Sequence, residues 1–158
     1  MSSQCATFEQ KLPGYTALEM MWMMSQTSSH DRQSAALDAA LIAIVEDDPW
    51  VRKSLDRLIK AEGFRTITFA CAEDFLNTED RQQTHCLILD LRLPGMNGLE
   101  LQHHLMIKQE RIPIVFVTAH DEPEIRLRAM QAGAFAFFSK PVNDEALVST
   151  VRSAIKSP

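Results

Sequence analysis

The stretch Leu87-Ile-Leu-Asp-Leu-Arg-Leu-Pro-Gly-Met-Asn-Gly98 decides the fold of this chain. Its apolar run stops at one carboxylate, Asp90, and passes into a loop marked by Pro-Gly and Asn-Gly pairs. A continuous apolar run of this kind is typical of a strand that is buried on both faces of a parallel sheet. Groups at the carboxyl ends of such strands line the ligand crevice. We therefore expect Asp90 to lie in the ligand crevice of an α/β sheet.

The same alternation of strand and helix patterns continues on both sides of this stretch. Strands are predicted over residues 41–45, 66–69, 86–89, 112–117 and 135–138. Helices are predicted over residues 49–61, 73–76, 99–109, 123–131 and 144–156. Five strands that alternate with five helices predict an α/β fold with a parallel sheet and helices on both faces.

The first part of the chain differs from the rest in composition. Residues 1–38 lack sustained helix or strand periodicity and contain a polar stretch, residues 25–34, of disorder-prone composition. We expect an N-terminal extension over residues 1–38, disordered or forming a short helix. Residues 39–158 are expected to form the structured domain.

Charge, cysteine content and hydropathy exclude several classes of protein. A net charge of −5, with 16 scattered basic residues, argues against direct nucleic-acid binding. The three cysteines form no CxxC pair, which favours reduced thiols in a cytoplasmic protein. No apolar run reaches the roughly 18 residues of a membrane span, so no membrane partner is expected.

Polar residues follow four of the predicted strands. Glu46 and Asp47 follow the first strand, Asp90 the third, Thr118 the fourth and Lys140 the fifth. In a parallel sheet these ends share one crevice. Neighbouring carboxylates raise one another's pKa unless cations compensate, and Lys140 and a bound Mg2+ are suitable cations. Carboxylates, a hydroxyl and a lysine together suit phosphoryl transfer.

Four segments carry a resemblance to a known family: Ile44-Val-Glu-Asp-Asp48, Leu89-Asp-Leu-Arg-Leu-Pro-Gly-Met-Asn-Gly98, Val117-Thr-Ala119 and Ser139-Lys-Pro141. The chain resembles, over about residues 40–157, the receiver domain of two-component response regulators, and within that CheY-like superfamily the FixJ-like branch. The resemblance implies a flavodoxin-like, doubly wound (βα)5 fold with a five-stranded parallel sheet of order 2-1-3-4-5.

The resemblance also implies a phosphoryl acceptor and a metal site. Asp90 is then the phosphoacceptor, and Mg2+ is held by Glu46, Asp47, Asp90 and the backbone carbonyl of Arg92. Glu46 departs from the aspartate that many members have at this position, which keeps the charge but changes the reach of the side chain.

Three further residues take implied roles. Thr118 hydrogen-bonds the phosphoryl group, Lys140 pairs with it, and Phe137 occupies the position of an aromatic switch that works together with Thr118. Phe137 lacks the hydroxyl of the tyrosine that is commoner there. The Lys140-Pro141 bond is expected to be cis.

Two other protein classes compete with this interpretation. The haloacid-dehalogenase phosphatases also use an aspartate nucleophile, but they need a second aspartate two residues later, where this chain has Arg92. An inactive pseudo-receiver is disfavoured because no catalytic position has been lost.

The expected function is that of a signalling switch rather than an enzyme. Its implied partners are a sensor histidine kinase or phosphotransfer protein, a downstream protein target and, on phosphorylation, a second copy of the chain. We expect the output surface to comprise the fourth helix, fifth strand and fifth helix, with Ile125, Met130, Phe135 and Leu147. The chain ends directly after the last predicted helix, which favours a stand-alone receiver; the alternative is the receiver part of a FixJ-like DNA-binding regulator.

Overall fold

The structure of the protein is a computed structural model that describes residues 16–19, 21 and 40–157. The chain divides into two units, Met1–Ala35 and Ala36–Pro158. Within the first unit, residues 17–19 and 21 are helical, and Glu19 accepts hydrogen bonds from the backbone N–H and hydroxyl of Thr16. The rest of the predicted extension, residues 1–38, lies outside the described residues, and its extent stays a prediction.

The second unit contains a five-stranded parallel sheet of order β2-β1-β3-β4-β5. Its strands are β1 (Leu41–Val45), β2 (Arg65–Phe69), β3 (Thr84–Leu89), β4 (Ile114–Thr118) and β5 (Ala136–Ser139). Its α-helices are α1 (Pro49–Ala61), α2 (Ala72–Asn77), α3 (Gly98–Ile107), α4 (Pro123–Gln131) and α5 (Asp144–Lys156). The predicted fold and strand order are confirmed.

The sheet is covered on both faces, and alternate residues of its central strands supply the two cores. Ile42 and Ile44 of β1 pack in one cluster with residues of α1 and α5. Ala43 and Val45 pack in the other with residues of α2, α3 and α4. Because successive side chains of a strand point to opposite faces, the unbroken apolar run of β1 is buried throughout.

Some elements differ from the prediction in their ends or were not predicted. Helix α3 ends at Ile107, not at 109, because Gln109 adopts a positive φ of 56°. Strand β4 begins at Ile114, after Pro113 rather than before it. A 3-10 helix at Glu79–Gln83, following the cap residue Thr78, was not predicted.

Two features of the fifth βα unit bear on the predicted site and surface. The Lys140-Pro141 peptide bond is cis, as predicted. The predicted output surface is wrong at Leu147, which is fully buried in the core beneath α5. The apolar face of α5, which includes Leu147, Val151 and Ala154, turns toward the sheet, so Leu147 belongs to the core and not to the surface.

None of the helices that the structure describes combines the length and the apolar character needed to cross a bilayer.

Helix α5 offers a test of local stability. The side chain of Asn143 caps this helix by accepting the Ala146 N–H at 2.8 Å. We predict that Asn143→Ala lowers the free energy of unfolding by about 1 kcal/mol, because that N–H loses its acceptor. Asn143→Asp keeps an acceptor and is the matched control in urea denaturation. Equal losses in the two variants would contradict the assigned cap.

Candidate functional site

Backbone pairing brings the polar strand ends to one edge of the sheet. The Asp90 N–H donates to the Val45 carbonyl at 3.0 Å, which sets the end of β3 beside the end of β1. The Lys140 N–H donates to the Thr118 carbonyl at 2.8 Å, which sets the end of β5 beside β4. Parallel register thus gathers residues that lie far apart in the sequence.

Three carboxylates form an acidic cluster at this edge. Glu46, Asp47 and Asp90 each offer an oxygen, and these oxygens lie within 4.8 Å of one another. Glu46 and Asp90 are buried, whereas Asp47 is exposed. Hard divalent cations prefer oxygen ligands, and Mg2+ commonly uses one or two carboxylates while its other positions hold water or phosphate oxygens. The donor set therefore fits Mg2+.

Lys140 is shared between two of these carboxylates. Its Nζ lies 2.7 Å from Glu46 Oε2 and 3.2 Å from Asp90 Oδ2. The longer side chain of Glu46 places its carboxylate in direct contact with the lysine. Burial, together with the negative charge of Asp90, raises the pKa of Glu46 despite that contact. Burial opposes ionisation of Lys140 as well, but the hydrogen bond to Glu46 and both carboxylate charges raise its pKa overall.

Arg52 supports the backbone beneath the acidic pair. One of its guanidinium nitrogens donates to the carbonyls of Glu46, at 2.6 Å, and Asp47, at 3.1 Å. No role was predicted for Arg52 from the sequence. Its place near the start of α1, shortly after the acidic pair, is the signal that could have identified it.

The residues after Asp90 are held close to its backbone. The Arg92 N–H points to Asp90 Oδ1 at 3.4 Å, and the Gly98 N–H donates to the Leu91 carbonyl at 2.9 Å. A Cβ at Gly98 would lie 2.4 Å from the Asp90 carbonyl oxygen. Only glycine fits this approach, and sequence analysis treated Gly98 merely as a loop marker.

Thr118 and Phe137, the residues with a predicted switch role, are both buried. The Thr118 hydroxyl accepts the His120 N–H at 3.2 Å, within the loop at the end of β4. Phe137 is 7% exposed, and its ring centroid lies 5.7 Å from that of Phe116.

Arg126 of α4 covers the Phe137 ring, a contact that sequence analysis missed. Its guanidinium carbon lies 4.5 Å from the ring centroid, and Nη1 donates to the Phe137 carbonyl at 3.0 Å. The same guanidinium makes two hydrogen bonds, at 2.8 and 2.6 Å, to the Asp121 carboxylate. Hydrogen bonds from Arg126 and Ser139 lower the pKa of Asp121 to about 2. Arg126 therefore ties α4, β5 and the loop after β4 together.

The shared lysine gives a pH-dependent prediction. We expect Lys140→Met to lower the free energy of unfolding near neutral pH by about 1–2 kcal/mol, because Glu46 and Asp90 lose their common cation. The pKa of Glu46 in the folded state already lies above its ordinary value of 4.5. As pH rises through the pKa that Glu46 has in the folded state, its ionisation therefore destabilises the folded state. This destabilisation should be larger in Lys140→Met than in the wild type, because the variant lacks the compensating cation. The difference in the free energy of unfolding between the wild type and Lys140→Met should therefore shrink below about pH 4.5, where Glu46 is protonated.

Urea denaturation of the wild type and Lys140→Met at several pH values measures this difference. Lys156→Met, at the exposed end of α5, is the matched control. A deficit that is independent of pH would contradict the electrostatic explanation.

Comparison with known proteins places this site in a family. The family model described as "Response regulator receiver domain" matches residues 42–152. Response regulator protein TodT of Pseudomonas putida is 39% identical over 118 residues, which cover 75% of this chain and 52% of TodT. Transcriptional regulatory protein FixJ of Bradyrhizobium diazoefficiens is 33% identical over 115 residues, 73% of this chain and 56% of FixJ.

Solved structures agree with the sequence relatives. Response regulator StyR is 42% identical, with a TM-score of 0.68, and the match covers 74% of this chain and 59% of StyR. FixJ-N is 32% identical, with a TM-score of 0.69, and the match covers 75% of this chain and 95% of that structure. The chain spans about half the length of the curated relatives it matches. With its fold, its acidic cluster and these relatives in agreement, the chain belongs to the family of response regulator receiver domains.

Proposed function

We propose that this domain is a phosphorylatable switch whose Asp90 accepts a phosphoryl group from a sensor histidine kinase or phosphotransfer protein. One observation carries the proposal. Asp90 is a buried carboxylate at a strand end, grouped with Glu46 and Asp47 and lying 3.2 Å from the Lys140 ammonium. Phosphoryl transfer depends mainly on positioning and on neutralising charge, and this group of residues supplies both.

In the proposed reaction an Asp90 oxygen forms the new bond to phosphorus. The phosphorus–nitrogen bond of the donor phosphohistidine breaks, its electron pair stays on the imidazole nitrogen, and solvent protonates that nitrogen. Glu46, Asp47, Asp90 and the Arg92 carbonyl would hold Mg2+. When bound, this ion offsets the negative charge of the phosphoryl oxygens.

Two side chains act on the group after transfer. Lys140, already beside Asp90, pairs with the new phosphoryl charge, and the Thr118 hydroxyl donates a hydrogen bond to a phosphoryl oxygen. Two residues after Asp90 the chain has Arg92, where a haloacid-dehalogenase phosphatase needs an aspartate as general acid. These features support a switch that is held phosphorylated rather than a hydrolase.

The phosphoryl group would bias a two-state element. In this proposal Thr118 moves toward the phosphoryl group, and Phe137 fills the space that Thr118 leaves. The two movements would couple the site to the face formed by α4, β5 and α5. On α4, Leu127 and Met130 are 57% and 42% exposed, so this face already offers apolar contact area. We propose it as the surface for a downstream protein and for a phosphorylation-dependent homodimer.

Two outputs are compatible with this switch. A cytoplasmic stand-alone receiver would act through protein contacts alone, without nucleic acid or membrane. The alternative is the receiver part of a DNA-binding regulator, which is favoured by relatives of about twice this matched length, one of them a transcriptional regulatory protein. The gene sequence after codon 158 separates the two: a stop codon supports the first, and a continuing helix-turn-helix region supports the second.

The acceptor role predicts a covalent product. Incubation with acetyl phosphate and Mg2+ should add one phosphoryl group to the wild type, measured as intact mass, and EDTA should prevent it. Asp90→Asn should gain none, because the amide lacks the nucleophilic oxygen. Asp80→Asn, at a carboxylate outside the cluster, is the matched control and should react like the wild type. Equal modification of the wild type and Asp90→Asn would refute the assignment.

The contact between Arg126 and Phe137 predicts a change in local stability. Arg126→Ala should speed hydrogen exchange of β5 amides roughly fivefold, or about 1 kcal/mol, through loss of the cation–π contact and of the hydrogen bond to the Phe137 carbonyl. Arg128→Ala, an exposed neighbour on the same helix, should leave that exchange unchanged. Identical exchange in the wild type and Arg126→Ala would show that the guanidinium does not hold Phe137.

A further inference from the structure

The loop between β3 and α3 carries the proposed metal ligand Arg92, and its two ends are fixed by the backbone. At the start, Asp90 is anchored to β1 through the Val45 carbonyl. At the end, Asn97 and Glu100 form a reciprocal capping box, with hydrogen bonds of 2.8 and 3.0 Å. The middle of the loop needs a separate contact to keep one conformation.

Glu73, in the first turn of α2, supplies that contact from a different element. Its Oε1 accepts the Met96 N–H at 2.8 Å. The hydrogen bond from the Met96 N–H lowers the pKa of Glu73, because it stabilises the ionised carboxylate. Glu73 lies 23 residues from Met96, so the hydrogen bond is a tertiary clasp and not a feature of the loop itself.

Gly95 makes room for this carboxylate. Its φ is +73°, and a Cβ built there would lie 2.4 Å from Glu73 Oε1. A side chain at residue 95 would therefore both strain the backbone and push the carboxylate away from Met96. The contact between Glu73 and Met96 thus depends on glycine at position 95. No role was predicted from the sequence for either Glu73 or Gly95.

We propose that Glu73 is a positioning residue for the metal site: by clasping Gly95 and Met96 it holds the loop in the conformation that presents the Arg92 backbone to the acidic cluster. The inference rests on the proposed function, because it assumes that Mg2+ binds at Glu46, Asp47 and Asp90. Glu73 itself is not a ligand. It acts only through the loop.

Mg2+ affinity is the direct test, since a purely structural role for Glu73 would leave it unchanged. Isothermal titration of the full chain with MgCl2 at constant ionic strength gives the Kd, and thermal unfolding without Mg2+ gives the Tm. We expect Glu73→Ala to weaken Mg2+ binding by about tenfold at most, the lower end of the loss caused by removing a group that orients a ligand directly, because Glu73 acts only through the loop. Glu73→Gln should restore most of the affinity, because its amide oxygen still accepts the Met96 N–H. Asp74→Ala removes the same charge from the exposed neighbouring position and should bind like the wild type.

The outcomes separate this inference from the proposed function. If the wild type does not bind Mg2+, the metal site fails and the inference fails with it. If the wild type binds and Glu73→Ala binds equally well, the metal site stands and the inference alone is overturned. Equal weakening in Asp74→Ala would also overturn it, because lost charge rather than the clasp would then explain the effect.

Substitution of Gly95 gives a second, independent test of the proposal. Gly95→Ala should weaken Mg2+ binding by displacing the Glu73 carboxylate. In the double variant with Glu73→Ala, Gly95→Ala should weaken Mg2+ binding by less than it does alone, because the contact between Glu73 and the loop is already lost. Full additivity of the two changes in binding free energy would contradict the proposal.

Discussion

The ion pairs of Lys140 are the interaction on which the site depends. Burying Glu46 and Asp90 at one sheet edge is unfavourable unless a cation compensates, and Lys140 contacts both carboxylates from the end of β5. Because the lysine stays partly exposed, it can pair with an incoming anion as well. In the proposed function, the same arrangement also places a cation beside Asp90, where the negatively charged phosphoryl group would arrive.

The parallel sheet explains why residues so far apart in sequence meet. Because all the strands run parallel, their carboxyl ends lie on one edge, and β1 and β3 carry their acids directly after their last strand residues. The contacts around this edge form three supports: Arg52 beneath the acidic pair, Gly98 against the Asp90 carbonyl, and Arg126 over Phe137. These supports join the proposed site to α1, α3 and α4.

The parts of the fold that were predicted correctly are those that depend on hydrophobic periodicity and on the proline and capping residues that mark helix starts. Strand-like periodicity identified all five strands, and Pro49, Pro123 and Asn143 marked helix starts that the structure confirms. The end of α3 at Ile107 could not be predicted, because the left-handed residue that follows the helix, Gln109, is not a glycine. Long-range side-chain contacts such as Glu73 with Met96 also leave no local pattern. The predicted surface position of Leu147 is wrong because Leu147 lies on the apolar face of α5 that, with Val151 and Ala154, packs in the core.

The central claim is that Asp90 is the residue that carries the phosphoryl group. Reduction of the phosphorylated protein with borohydride converts an aspartyl phosphate to homoserine, and peptide sequencing by mass spectrometry locates it. We expect homoserine at position 90 and at no other carboxylate. Homoserine at Asp47 or elsewhere, or a phosphoryl group recovered on a histidine or serine, would contradict the account.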